Sequence, residues 1–67
     1  MTIVNTAELP IGRRLKVERV AAGISSTDMA QAIGVSLGHL SNIESGKRSA
    51  SDELVGRIRS VIQEKAE

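Results

Sequence analysis

The sequence predicts a small all-α domain of four helices, and three observations predict it. Apolar residues recur at three- and four-residue spacings along most of the chain. Glycines at positions 23, 34 and 46 each close one such stretch. Finally, 67 residues without Phe, Tyr, Trp or Cys allow one domain with a core of Leu, Ile, Val, Met and Ala. The expected organisation is an N-terminal extended arm over 1–9, a helical domain over 10–63 and a C-terminal tail over 64–67. The helices are expected near 10–22, 26–33, 36–45 and 51–63.

The first nine residues lack a helical period, and Thr2, Ile3 and Val4 favour an extended form. Such a segment most often frays. The other reading is an arm that pairs with a second protomer or reaches a ligand. Pro10 suits the first turn of a helix, where its missing N–H has no intrahelical role. Ile11, Leu15 and Ala22, with Val20 or Ala21 beside them, mark the expected inner stripe of the first helix. Gly23 ends it, and Ile24 is expected to pack across the junction.

Ser25 to Gly46, SSTDMAQAIGVSLGHLSNIESG, organises the rest of the chain. Ser25 is an N-cap, with Asp28 three residues on near the positive helix end. Met29, Ala30 and Ile33 form one apolar face. Gly34 takes the left-handed conformation that stops the helix without a Cβ penalty. Val35 plugs the turn, and Ser36 caps the next helix, from which Leu40 and Ile43 face inward. A small residue at 30, a glycine bend and two aliphatics make two short helices that pack closely across a tight turn, a helix-turn-helix. After Gly46 comes the loop Lys47-Arg48-Ser49-Ala50. Ser51 caps a last helix whose first turn holds Asp52 and Glu53 and whose apolar face is Leu54, Val55, Ile58, Val61 and Ile62. Gly56 lowers its propensity by roughly 1 kcal/mol relative to alanine and leaves room for a close helix contact. Residues 63–67 are expected to fray.

Composition excludes several functions. No cysteine and a single histidine leave neither a thiolate nor a histidine zinc site. Without aromatics, bases cannot be stacked on side chains, as single-strand and many RNA binders require. No nucleophile–base set and no phosphate-cradling glycine loop is present, so an enzyme is not expected, and no cofactor. No apolar run approaches membrane-spanning length and no signal peptide is visible, so a soluble, cytoplasmic protein is expected. The net charge of +1 is small, but its distribution is lopsided. Arg13, Arg14, Lys16 and Arg19 cluster in the first helix, Lys47 and Arg48 follow the third, and Asp52, Glu53, Glu64 and Glu67 gather at the C-terminal end.

IGRRLKVER, GIS, MAQAIGVS and HLSNIESGKRS together resemble the lambda-repressor and Cro family of helix-turn-helix domains, the XRE-like group. The resemblance covers about 11–62 and rests on the combination of Arg19, Gly23, Ser25, Ala30, Gly34-Val35-Ser36, Ile43-Glu44 and Gly46-Lys47. It implies an ion pair between Arg19 and Glu44 that ties the first helix to the third and leaves Arg19 close to a DNA phosphate. It implies that the third helix enters the major groove of duplex DNA. Base-contact candidates are then Leu37, Gly38, His39 and Asn42. An asparagine amide matches an adenine edge, and a leucine matches a thymine methyl. Phosphate-contact candidates are Ser26, Ser36, Ser45, Lys47, Arg48 and Arg19, joined by backbone N–H groups at helix starts. Ser26 stands where the family often carries glutamine, and Ala50 where it often carries proline. The implied function is a DNA-binding transcriptional regulator, a repressor of phage, mobile-element or antitoxin type, acting as a homodimer on a two-fold operator. The alternative is an interaction module that kept the fold, lost DNA reading and binds a protein partner.

Overall fold

The computed structural model describes residues 10–66. The expected arm over 1–9 lies outside the described residues. Four helices follow one another: α1 (Ile11–Ala21), α2 (Ser26–Ile33), α3 (Leu37–Ser45) and α4 (Asp52–Ala66). α1 packs on α3 and α4, and α2 packs on the same two helices. Among the described residues no helix is long and apolar enough to cross a membrane.

Serines start three of the helices in one way. The hydroxyl oxygens of Ser25, Ser36 and Ser51 accept hydrogen bonds from the backbone N–H groups of Asp28, His39 and Leu54, at 3.0, 3.1 and 3.1 Å. Each bond satisfies a donor that the helix cannot satisfy itself. Pro10 instead sits at the N-cap of α1, just outside the helix, with φ −52° and ψ 148°. Gly34 ends α2 at φ 77°, and the N–H of Val35 returns to the carbonyl of Ala30 at 3.0 Å. That reversal brings α3 back across α2. α4 continues to Ala66, so residues 64–66, expected as a fraying tail, are helical. Lys65 lies in the last turn, where a cation complements the helix dipole.

The core is aliphatic. Leu15, Met29, Leu40, Ile43 and Ile58 are fully buried, and Ile24, Ala30 and Ile33 nearly so. Ala22, Val35, Leu54, Val55, Val61 and Ile62 pack partly buried around them. The expected stripe of α1 needs correction. Its buried residues are Gly12, Leu15 and Arg19. Ile11 and Val20 are 37% and 59% exposed, and Ala21 is exposed. The helix turns its smallest residue and one cation inward because both meet α3. Hydrophobicity alone favours Ile11, Val17 and Val20 over both positions.

Gly12 sets the crossing distance. A Cβ built there would overlap the backbone carbonyl of Ile43 on α3. Gly56, which leaves room for a close helix contact, makes none: among the described residues nothing lies within 4 Å of such a Cβ. The two glycines therefore predict opposite outcomes. Gly12→Ala destabilises the domain by about 1–3 kcal/mol, because a rigid backbone has to give. Gly56→Ala stabilises it by up to about 1 kcal/mol through helix propensity. Urea denaturation followed by far-UV circular dichroism measures both, and the same sign for the two variants contradicts this packing.

Candidate nucleic-acid interface

At the seam of α1 and α3, Arg19 and Glu44 form an ion pair, each with a side chain only 7% exposed. Arg19 Nε donates to Glu44 Oε2 at 2.8 Å and Nη2 donates to Oε1 at 3.2 Å, a two-pronged geometry. Nη1 donates to the Ile24 carbonyl at 2.7 Å, which reaches the loop before α2. One cation thus fixes α1, α3 and the entry to α2 relative to one another. No buried side-chain nitrogen or oxygen among the described residues lacks a partner. Replacing one member of such a pair strands the other in a low-dielectric site.

With its inner side so held, α3 turns the rest of its surface outward. Leu40, Ile43 and Glu44 are buried, whereas Leu37, Gly38, Ser41, Asn42 and Ser45 are exposed. At 100° per residue, Gly38, Asn42 and Ser45 lie opposite the buried set. Leu37 and Ser41 lie along one edge, and His39, half-buried, along the other. An open groove of about 340 Å³ runs beside that first edge. It is lined by Lys16, Arg19, Ser26, Leu37, Ser41, Glu44 and Ser45. Ser26 is the first residue of α2, so a helix start opens on this groove.

The sequence-derived candidates divide accordingly. Gly38 and Asn42 share the outward side of α3, Leu37 lies at the edge beside the groove, and His39 sits at the opposite margin. The Asn42 carbonyl accepts from Ser45 Oγ at 3.2 Å and from the Arg48 backbone N–H at 3.1 Å. That second bond folds the Lys47-Arg48 loop back against the end of α3, and both side chains are exposed. The Ser45 hydroxyl proton is already engaged, so this serine is a poor phosphate donor in the observed rotamer. Ser36 uses its oxygen as a cap acceptor and keeps its proton to donate. Arg19 spends three N–H groups within the protein, and the residue also lines the groove. Arg13 is exposed and Arg14 half-buried, and neither lines the groove.

Two groove residues escaped the sequence reading, Lys16 and Ser41. Lys16 lies three residues before Arg19, hence on the same side of α1, and Ser41 lies four after Leu37. Those spacings were the available signal. A family model for the helix-turn-helix domain matches residues 10–63. The chain is a helix-turn-helix domain of the Cro/XRE type. No curated protein and no solved structure gives a match. Membership in this helix-turn-helix family implies DNA binding and a part in transcription regulation, and its members are typically non-enzymatic.

The buried pair predicts a non-additive mutant cycle. Glu44→Leu and Arg19→Met each cost roughly 3–5 kcal/mol, because each leaves one charge buried and unpaired. The double variant costs less than the sum, since no stranded charge remains. Denaturant midpoints of the four proteins test this, and simple additivity contradicts it.

Proposed function

We propose that this helix-turn-helix domain is a sequence-specific transcriptional repressor of phage, mobile-element or antitoxin type. It binds duplex DNA as a homodimer on a two-fold operator, with α3 of each protomer in the major groove. One observation carries the reading: α3 is locked from behind by Arg19 and Glu44, while its opposite side is exposed and flanked by Lys16, Lys47 and Arg48, which form no ion pair among the described residues. An α-helix with side chains is about 10–12 Å across, matching a major groove about 12 Å wide. Lys47 and Arg48 meet phosphates beyond one end of α3. Ser26 and the N–H groups at the start of α2 meet them across the groove, and Ser36 adds a donor at the start of α3. A nine-residue helix spans only a few base pairs. A two-fold repeat lengthens the site read, as in other helix-turn-helix dimers.

Leu37, half exposed beside the groove, is the feature that favours the second reading, a protein-interaction module. Pull-down with and without nuclease separates the two, because partners held through DNA disappear on digestion.

Footprinting on the DNA flanking the chain's own gene tests the first reading. It expects a symmetric protected site with half-site centres about 34 Å apart. Lys47→Ala and Arg48→Ala weaken binding to all sequences alike, and each lowers the slope of log affinity against log salt by about 0.9 per lost phosphate contact. Absence of any shift with this DNA at low salt overturns the reading.

A further inference from the structure

The outward surface of α3 also constrains which base pairs it can select, and this inference rests on the DNA-binding reading above. α3 contains no lysine or arginine, and neither do residues 1–9. The nearby cations belong to α1 and to the loop beyond α3, on the flanks where phosphates run. Guanine is most often read by a lysine or arginine donating to O6 and N7. Nothing on this surface supplies that. What it offers is the Asn42 amide, exposed and with no side-chain hydrogen bond among the described residues, and the half-exposed Leu37, while His39 stands half-buried at the far margin.

Gly38 adds an independent observation. It lies within α3 without a positive φ, and among the described residues a Cβ there would meet nothing within 4 Å. Neither backbone conformation nor internal packing requires a glycine, yet glycine weakens a helix. Its position on the outward side, between Leu37 and Asn42, is where base edges would come nearest the α3 backbone. A short side chain such as asparagine needs that close approach to bond an adenine with both ends of its amide.

We propose that the domain selects A·T base pairs beneath α3: an adenine bonded by Asn42 and, about two base pairs away, a thymine whose methyl packs on Leu37. The spacing follows from helix geometry. Five residues at about 1.5 Å each rise roughly 7.5 Å, against about 3.4 Å per base pair.

Duplexes selected by the full chain from a randomised pool provide the test. They are remade with 7-deazaadenine for the selected adenine, which removes N7, and with uracil for thymine, which removes the methyl. The native chain loses about 5- to 100-fold with the first analogue and about three- to fourfold with the second. Asn42→Ala no longer distinguishes adenine from 7-deazaadenine, and Leu37→Ala no longer distinguishes thymine from uracil. Both side chains are exposed, so thermal melts confirm that the variants fold. Gly38→Ala raises Tm while lowering affinity for the selected site about fivefold or more, a pairing that a purely structural glycine does not produce. Selection of G·C at these positions, analogue sensitivity that survives in the variants, or a guanine preference lost in His39→Ala overturns the proposal. If no duplex binds at low salt, the DNA-binding reading falls and takes this inference with it. If duplexes bind but carry G·C, only this inference falls.

Discussion

The Arg19–Glu44 pair holds the surface of this domain in place because it joins three segments through one guanidinium. α1, α3 and the loop ahead of α2 all bond to it. Two charges out of water contribute little net stability even when well paired, so the pair is better understood as a positional constraint. Misplaced packing would leave a bare charge inside the protein, and that penalty rejects alternative arrangements of α3 on α1. Gly12 works in the same direction by allowing the α1 backbone to touch that of α3. Close contact shortens the reach Arg19 must span, and the bonded pair keeps the contact closed.

A second cation does related work on the other side. Arg57 of α4 donates to the carbonyl of Ile33 at 3.4 Å, at the end of α2, and bonds Glu53 at 2.7 Å. A cation beside the last carbonyls of a helix offsets their partial negative charge. α4 thereby holds the end of α2 much as α1 holds α3, although more exposed and hence more weakly. The Arg59–Glu18 contact at 3.5 Å is solvent-exposed and adds little. In a core of so few aliphatics, without any aromatic ring, such directional contacts decide orientation more than hydrophobic burial can, since burial is non-directional.

The fold was legible because its signals are local. Serines at 25, 36 and 51 and glycines at 34 and 46 mark helix ends through bonds within a few residues. The apolar faces of α2, α3 and α4 follow a simple period; those of α2 and α3 are buried as expected, and that of α4 is partly buried around Ile58. α1 was misread because its inner side is chosen by partners distant in sequence. Gly12 is buried by Ile43 and Arg19 by Glu44, and neither looks like a core residue in isolation. The end of α4 was missed because Gln63, Glu64 and Lys65 carry no apolar period, although they and Ala66 all favour a helix by intrinsic propensity and no stop signal intervenes. At the surface, resemblance supplied the α3 positions. Lys16 enters the groove only because α1 is rotated away from its expected stripe, so the same error hid it.

A net charge of +1 looks too small for a nucleic-acid binder only if charge is averaged over the chain. Screening confines electrostatics to about 8 Å at physiological ionic strength, comparable to the width of one helix. Asp52, Glu53 and Glu64 lie on α4, which contacts α1 and α2 more than α3. Lys16, Lys47 and Arg48 stand around α3. In the proposed complex, phosphates beside α3 therefore meet the local cations far more strongly than the remote carboxylates. The same arithmetic limits a lone domain, because few cations mean few released counterions and a modest affinity. A second protomer across the proposed two-fold axis doubles those contacts without adding a residue to the chain. It also makes sequence choice depend on two short helices at a fixed separation, so a thin set of side chains on each is enough to discriminate a site.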